Sequence, residues 1–377
     1  MGLFSWFWIA MVPLLALVIY PTVHQINAVK PPSQLNFHND QCHEINSPFT
    51  QGCETIKIIG DYAYSACVGD IAQRKVWFPP LSRRDPRGNS TGHIVRIHLK
   101  SEEVSVLKFA NFDPATFYPH GIDIKADSED PTVVRIGAIN HGKTGSSVEL
   151  FEHRTETDEL VHYETFQNEK LLPRPNSIWL LSRSEFYVTN DGKFKSLVLS
   201  SLERSLNLKF GSVVFRGENG KARIVAEGLA YPNGIVGSSD QSTVYVSSSF
   251  GHGVHVYSRK DTGSLRQTEF VSLGIQVDNV AYDEVDNSVY AAGGADHVAG
   301  VKSMLFDIPS RFANAAYKIS AATDDRVFYG HQLKSELLWS GEDEFITSAI
   351  VDRQNNNIWI SSFSRPQIRV CKLETAS

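Results

Sequence analysis

Five stretches of the 377-residue chain set a polar side chain beside a small residue at the head of an apolar run: PHGIDI, RPNSIWL, YPNGIVG, QVDNVAY and ITSAIV. Asn or Asp in such a place ordinarily marks a turn. Together with Glu54 in GCETIKI, however, they collect Glu54, Asn176, Asn233, Asp278 and Asn279, two carboxylates and three amides. All five are oxygen donors, the set a hard divalent cation requires. Calcium takes about six to eight such ligands flexibly, whereas magnesium keeps a tighter octahedron and more water. The closely spaced His and Cys residues of a zinc site are missing. Two histidines add acid–base chemistry: His120 in PHGIDI and His141 in AINHGK fall on the two arms of one expected hairpin, turning near Asp127 to Pro131. Imidazole has the pKa to serve either as a proton carrier or as a satisfied core group.

Such residues must be brought together by the elements that carry them. The units at Glu54, His120, Asn176, Asn233, Asn279 and Ser348 recur about every 57 residues, the period of a six-bladed β-propeller with four strands per blade. The texture agrees. Short runs rich in Val, Ile, Tyr and Phe, such as HIVRIHL, SVELFEH, TVYVSSS and NIWISSF, alternate with Gly, Asn, Asp and Ser. The one amphipathic helical stretch is 196–208, SLVLSSLERSLNL. The expected fold is therefore all-β, a six-bladed propeller over residues 42–377, with a pair of β-sandwiches as the alternative. In a propeller the innermost strand of each blade lines a central channel, so polar residues at the strand entrances face one centre.

The ends of the chain carry separate information. Residues 3–20 hold no charge, which is near the minimum for spanning a bilayer and long for a signal-peptide core. Residues 1–28 read as a signal-anchor or signal peptide, followed by a polar linker, 29–41. Either form of leader directs the protein to the secretory pathway, membrane-anchored or secreted, and a sequon at Asn89 offers a glycosylation site there. Cys42, Cys53, Cys67 and Cys371 allow two disulfides in three connectivities, or free thiols. A Cys42–Cys371 bond would join the first and last strands of the ring, and Cys53 and Cys67 flank a hairpin turning at Gly60-Asp61. The formal net charge of −6, with no Lys/Arg cluster, excludes a nucleic-acid partner.

From about Cys42 to Leu373 the chain resembles the paraoxonase/arylesterase family of calcium-dependent lactonases, which are six-bladed propellers. The likeness is carried by GCETIKI, YPHGIDI, AINHG, LLPRPNSIWLLSRSEFYVTND, AEGLAYPNGI, YVSSSFGHGVHVY, VDNVAYDEVDNSVYAAGG and IRVCKL. It implies that Glu54, Asn176, Asn233, Asp278 and Asn279 hold a catalytic calcium, and that His120 and His141 form a dyad with His120 nearer the substrate. It further implies that Tyr231 and His252 line the pocket, that Cys42 pairs with Cys371, and that 196–208 is a helix over the site. Through that helix and residues 3–20 the protein would associate with membranes or lipid particles.

The resemblance has gaps. Family members hold a second, structural calcium with aspartates where this chain has Thr55 and Ser177, and neutral ligands weaken such a site. Asp123 and Asp127 are the nearby carboxylates that could compensate; one ion is expected rather than two. Gly192 stands where relatives often carry His, leaving substrate preference open. The implied reaction is hydrolysis of a lactone or aryl ester, the metal polarising the carbonyl and His120, assisted by His141, activating water. In another version Glu54 or Asp278 is the base. Two rivals are a calcium-stabilised binding module and a metal-free enzyme like strictosidine synthase.

Overall fold

The computed structural model describes residues 41–373, less 86, 89–90, 297, 301, 303–310 and 324–331, together with scattered positions between 20 and 29. The expected leader, most of the linker and the Asn89 sequon lie outside the described residues. No helix among the described residues is long and apolar enough to cross a membrane.

Six antiparallel sheets follow one another along the chain. Blade one is Ile56–Ile59, Tyr62–Val68, Gly92–His98 and Val104–Val106. Blade two is Pro119–Ala126, Val133–Gly142, Gly145–Arg154 and Glu159–Phe166, with Lys108–Ala110 added in parallel at its outer edge. Blades three, four and five begin at Pro175–Leu180, Pro232–Gly237 and Gln276–Asp283, and each adds three strands outward in chain order. Blade six begins at Ser348–Asp352 and is completed from the other end of the chain by Cys42–Glu44, which pairs with Arg369–Lys372. Each first strand contacts the first strand of the next blade, and that of blade six contacts blade one, so the ring closes. The β-branched and aromatic residues of the runs pack between blades, for example Trp179, Tyr187, Val213 and Val244 in one cluster.

Ring closure is sealed covalently. Cys42 lies opposite Cys371 in register and is bonded to it, across a sequence separation of 329. In the chain-entropy account such a long loop contributes on the order of 6 kcal/mol. Cys53 and Cys67 also pair, pinning the entrance of blade one to its second strand.

One irregularity repeats in blades two to five. Ile122 and Pro119 pair with Ala138 and Asn140; Ile178 and Pro175 with Val188 and Asn190; Ile235 and Pro232 with Val246 and Ser248; Val280 and Val277 with Ala291 and Gly293. Each inner strand thus carries one extra residue, a β-bulge, at His120-Gly121, Asn176-Ser177, Asn233-Gly234 and Asp278-Asn279. A bulge breaks the in–out alternation and re-aims a side chain. The polar residues turn into the channel at these points. The small residue beside them has its own cause: a Cβ on Gly121 would lie 2.6 Å from the Asn176 carbonyl, and one on Gly234 would lie 2.6 Å from the Val280 nitrogen. Only glycine lets adjacent inner strands approach so closely.

Candidate functional site

The bulges and the entrance of blade one bring Glu54, Asn233, Asp278 and Asn279 into one buried group, with Asn176 beside Asp191. Asn279 donates Nδ2 to Asp278 Oδ1 at 2.9 Å and lies 3.4 Å from Glu54 Oε1. Glu54 and Asn233 neighbour Asp278, and Asn176 neighbours Asp191. All five expected ligands are buried, Glu54 and Asn176 at 2% exposure. Burial pushes the Glu54 carboxyl up to about 7 against the opposing charge of Arg74, and pushes Asp278 well above the carboxylate range with the Glu54 charge adding to it. Burial likewise raises Asp191 to about 6.

The group is incompletely satisfied. Glu54 Oε2, Asn176 Oδ1 and Asn233 Oδ1 are buried with no hydrogen-bond partner. Buried polar atoms are nearly always paired, so several oxygens left open on neighbouring strands fit a cation that would take them. Among the described residues no three His, Cys, Asp or Glu side chains cluster as a metal site; amides supply the remainder here. The main chain beneath is braced from the preceding blades. Thr189 Oγ1 donates to Asn233 O at 2.5 Å, Thr347 Oγ1 to Glu54 O at 2.6 Å, and Ser247 Oγ to Asp278 O. Ser348, the sixth repeat member, turns its hydroxyl to the Ile56 amide at 3.4 Å and adds nothing to the cluster.

The histidines meet as expected, ring centroids 5.4 Å apart. His120 Nδ1 is 3.7 Å from Glu54 Oε2, while His141 Nδ1 shares a hydrogen bond with Ser146 Oγ at 2.9 Å. Burial, with neighbouring positive charge, drops His120 well below the imidazole range and His141 to about 3. Both are neutral at pH 7. Tyr231 packs at a tilt against Phe250 and lies beneath the Arg174 guanidinium, and His252 is buried at 5% exposure; both adopt positive φ, 57° and 60°.

Several neighbours escaped sequence reasoning. Arg74, from the 3-10 helix Ile71–Lys75, reaches within 3.8 Å of Glu54 Oε2. Arg174 bonds Asp191 at 2.7 Å and Glu203 at 3.1 Å. Glu203 belongs to the helix Leu197–Ser205, which is shorter than expected, capped by Ser196, and inverted in polarity. It buries Glu203 and Arg204 and exposes Leu197, Val198, Leu199 and Leu202. No signal in the pattern distinguished the inward from the outward face.

Of the two compensating carboxylates, Asp123 is held by Lys57 Nζ at 3.3 Å and accepts from the Leu180 amide at 2.8 Å. Asp127 pairs with Arg135 away from the channel.

The sequence model described as Arylesterase matches residues 76–327. Serum paraoxonase/arylesterase 2 of Rattus norvegicus is 33% identical over 233 residues, 61% of this chain and 63% of the rat protein. The alignment thus spans under two thirds of that relative's length. Serum paraoxonase/arylesterase 2 of Homo sapiens is 31% identical over 269 residues, 71% of this chain and 72% of that protein. A solved structure assigned as a gluconolactonase superposes with a TM-score of 0.50 at 12% identity, over 89% of this chain and 92% of that one, which shows the fold alone. The family model and the curated relatives together establish that the chain belongs to the arylesterase family.

Proposed function

We propose that the protein is a calcium-dependent hydrolase of lactones or aryl esters. The reading is carried by one observation: buried oxygens of Glu54, Asn176 and Asn233 point, without partners, into a channel they share with Asp278 and Asn279. Those five residues would hold the ion. When bound, calcium would supply a Lewis acid for the ester carbonyl.

The chain's own groups do the rest. His120 sets Nδ1 3.7 Å from Glu54 Oε2, and the tautomer protonated at Nδ1 would leave Nε2 to accept a proton from water. His141, oriented by Ser146, holds the second imidazole beside it. Tyr231 and His252 border the substrate. A single ion is expected, because Thr55 and Ser177 are neutral and Lys57 already neutralises Asp123. Two disulfides and relatives named for serum support an oxidising, secretory location. The exposed leucines of Leu197–Ser205 suit contact with lipid, as does the apolar 3–20 segment.

The test is chelation. Hydrolysis of phenyl acetate or γ-lactones should vanish in EDTA and return with calcium, and not with magnesium alone. Activity that survives chelation would favour a metal-free enzyme. Calcium binding with no hydrolysis of any ester or lactone would leave only a binding module.

A further inference from the structure

Four of the five oxygen donors are aimed by strands. Asn176, Asn233 and the pair Asp278-Asn279 sit in bulges framed by ladder pairs on both sides, at Pro175 and Ile178, Pro232 and Ile235, and Val277 and Val280. Glu54 has no such frame. The ladder of blade one starts at Ile56, opposite Ser65, and Cys53, Glu54 and Thr55 lie before it. The next backbone tie outward is the Val68 amide donating to Gln51 O at 2.9 Å. Between these two ties residues 52–55 face only 66 and 67. The entrance of blade one thus carries two residues in excess, where blades two to five carry one.

A segment that leaves its ladder needs other partners to fix where its side chains point, and a metal-binding carboxylate depends on such support. Hydrogen bonds supply part of it: Arg74 Nη2 donates to Gly52 O at 2.9 Å, and Ser65 Oγ donates to Thr55 O at 2.7 Å. The covalent tie is the disulfide of Cys53, the residue next to Glu54, to Cys67, which lies across the excess. Cys67 is a firm anchor. It pairs with His93 on the third strand of the blade, between the pairs Ala66–Ile94 and Val68–Gly92. Both cysteines are buried, at 1% and 0% exposure, which shields the bond from exchange with external thiols. We propose that the Cys53–Cys67 disulfide is a positioning element of the cation site, standing in for the absent ladder and holding the Glu54 carboxylate beside Asp278 and Asn279. This rests on the reading of Glu54 as a calcium ligand and adds the device that aims it.

The experiment titrates the full chain with calcium by calorimetry and with terbium by luminescence, so no turnover is needed. Removing the partners that orient a metal ligand typically weakens affinity about 10–100-fold. Cys53→Ala with Cys67→Ala should therefore raise the calcium Kd at least about tenfold. Cys42→Ala with Cys371→Ala, which opens the ring on the outer strands of blade six, should lower Tm and leave Kd within about twofold. An unchanged Kd in the Cys53/Cys67 variant, or equal losses in both variants, would overturn the positioning role and leave the hydrolase reading intact. Should the Cys53/Cys67 variant fail to fold, Ser65→Ala decides. With the disulfide in place, loss of the Thr55 tether should leave Kd unchanged; a weakened Kd would transfer the role to hydrogen bonds. A native chain that binds neither calcium nor terbium would remove the cation reading itself, and the positioning role with it.

Discussion

The two ends of the central channel treat buried charge in opposite ways. At the far end a cavity of about 520 Å³ is lined by Lys57, Asp123, Trp179, Asp283 and Arg353. Its charges are answered within the protein: Lys57 meets Asp123 at 3.3 Å, and Asp283 accepts from Arg353 Nε at 2.6 Å and from the Tyr290 hydroxyl. At the other end oxygens of Glu54, Asn176 and Asn233 and nitrogens of Arg74 are left without partners. Convergence of unsatisfied donors and acceptors is what would mark a chemical end; completed pairs mark architecture.

The largest effect that would break this contrast is expected at Glu54. Glu54→Gln should lower lactonase kcat by roughly 100-fold or more and remove the calcium-induced rise in Tm, since a carboxylate ligand and an orienting group for His120 are lost together. A calcium titration identical to that of the native protein would take Glu54 out of the ligand set.

Lys57→Met should act on the other end alone. It leaves Asp123 buried without its partner and should destabilise the protein by about 3–5 kcal/mol in urea denaturation. Calcium affinity should stay as it was; a changed Kd would mean that the two ends are coupled. Lys57→Met with Asp123→Leu should recover most of the loss.

pH sharpens the comparison further. The Glu54 carboxyl is raised from 4.5 to about 7, so between those values the folded chain keeps a proton that the unfolded chain has released. Chelated protein should therefore lose stability as pH rises from about 4.5 to 7. Calcium needs the ionised form, so the Tm increment it confers should grow over the same window. An increment that is flat from pH 5 to 8 would contradict the assignment. The smallest effect is expected from Ser247→Ala, which frees the Asp278 carbonyl and should cost about 1 kcal/mol of stability with a few-fold weaker calcium binding.

The order of blades, the gathering of the oxygen donors and the meeting of the two histidines were readable because the chain repeats a polar–small–apolar unit at a steady spacing. Cys42 and Cys371 were readable from their places at the two ends of the ring. The bulges that aim Asn176, Asn233 and Asp278 inward were not, since one extra residue in a strand leaves no trace in composition. Arg74 was hidden for a different reason: it sits in a stretch whose polar look suggests a surface loop, and only the fold brings it within 3.8 Å of Glu54. Thr55 and Ser177 are visibly neutral in the sequence, but nothing in a lone Lys57 showed that it meets Asp123. The helix at 197–205 kept its period and reversed its faces, because Glu203 is drawn inward by Arg174.

A strand borrowed from the beginning of the chain to finish the last blade sets a timetable for biosynthesis. Translation delivers Cys42 early and its partner only after 328 intervening residues, so the circle stays unlatched until the ribosome has almost finished. Cys53 and Cys67, only 14 positions apart, meet within the first hairpin and can oxidise long before then. That early pairing withdraws both competing thiols and leaves Cys42 a single eligible mate. The direction of synthesis thus selects the correct connectivity among three.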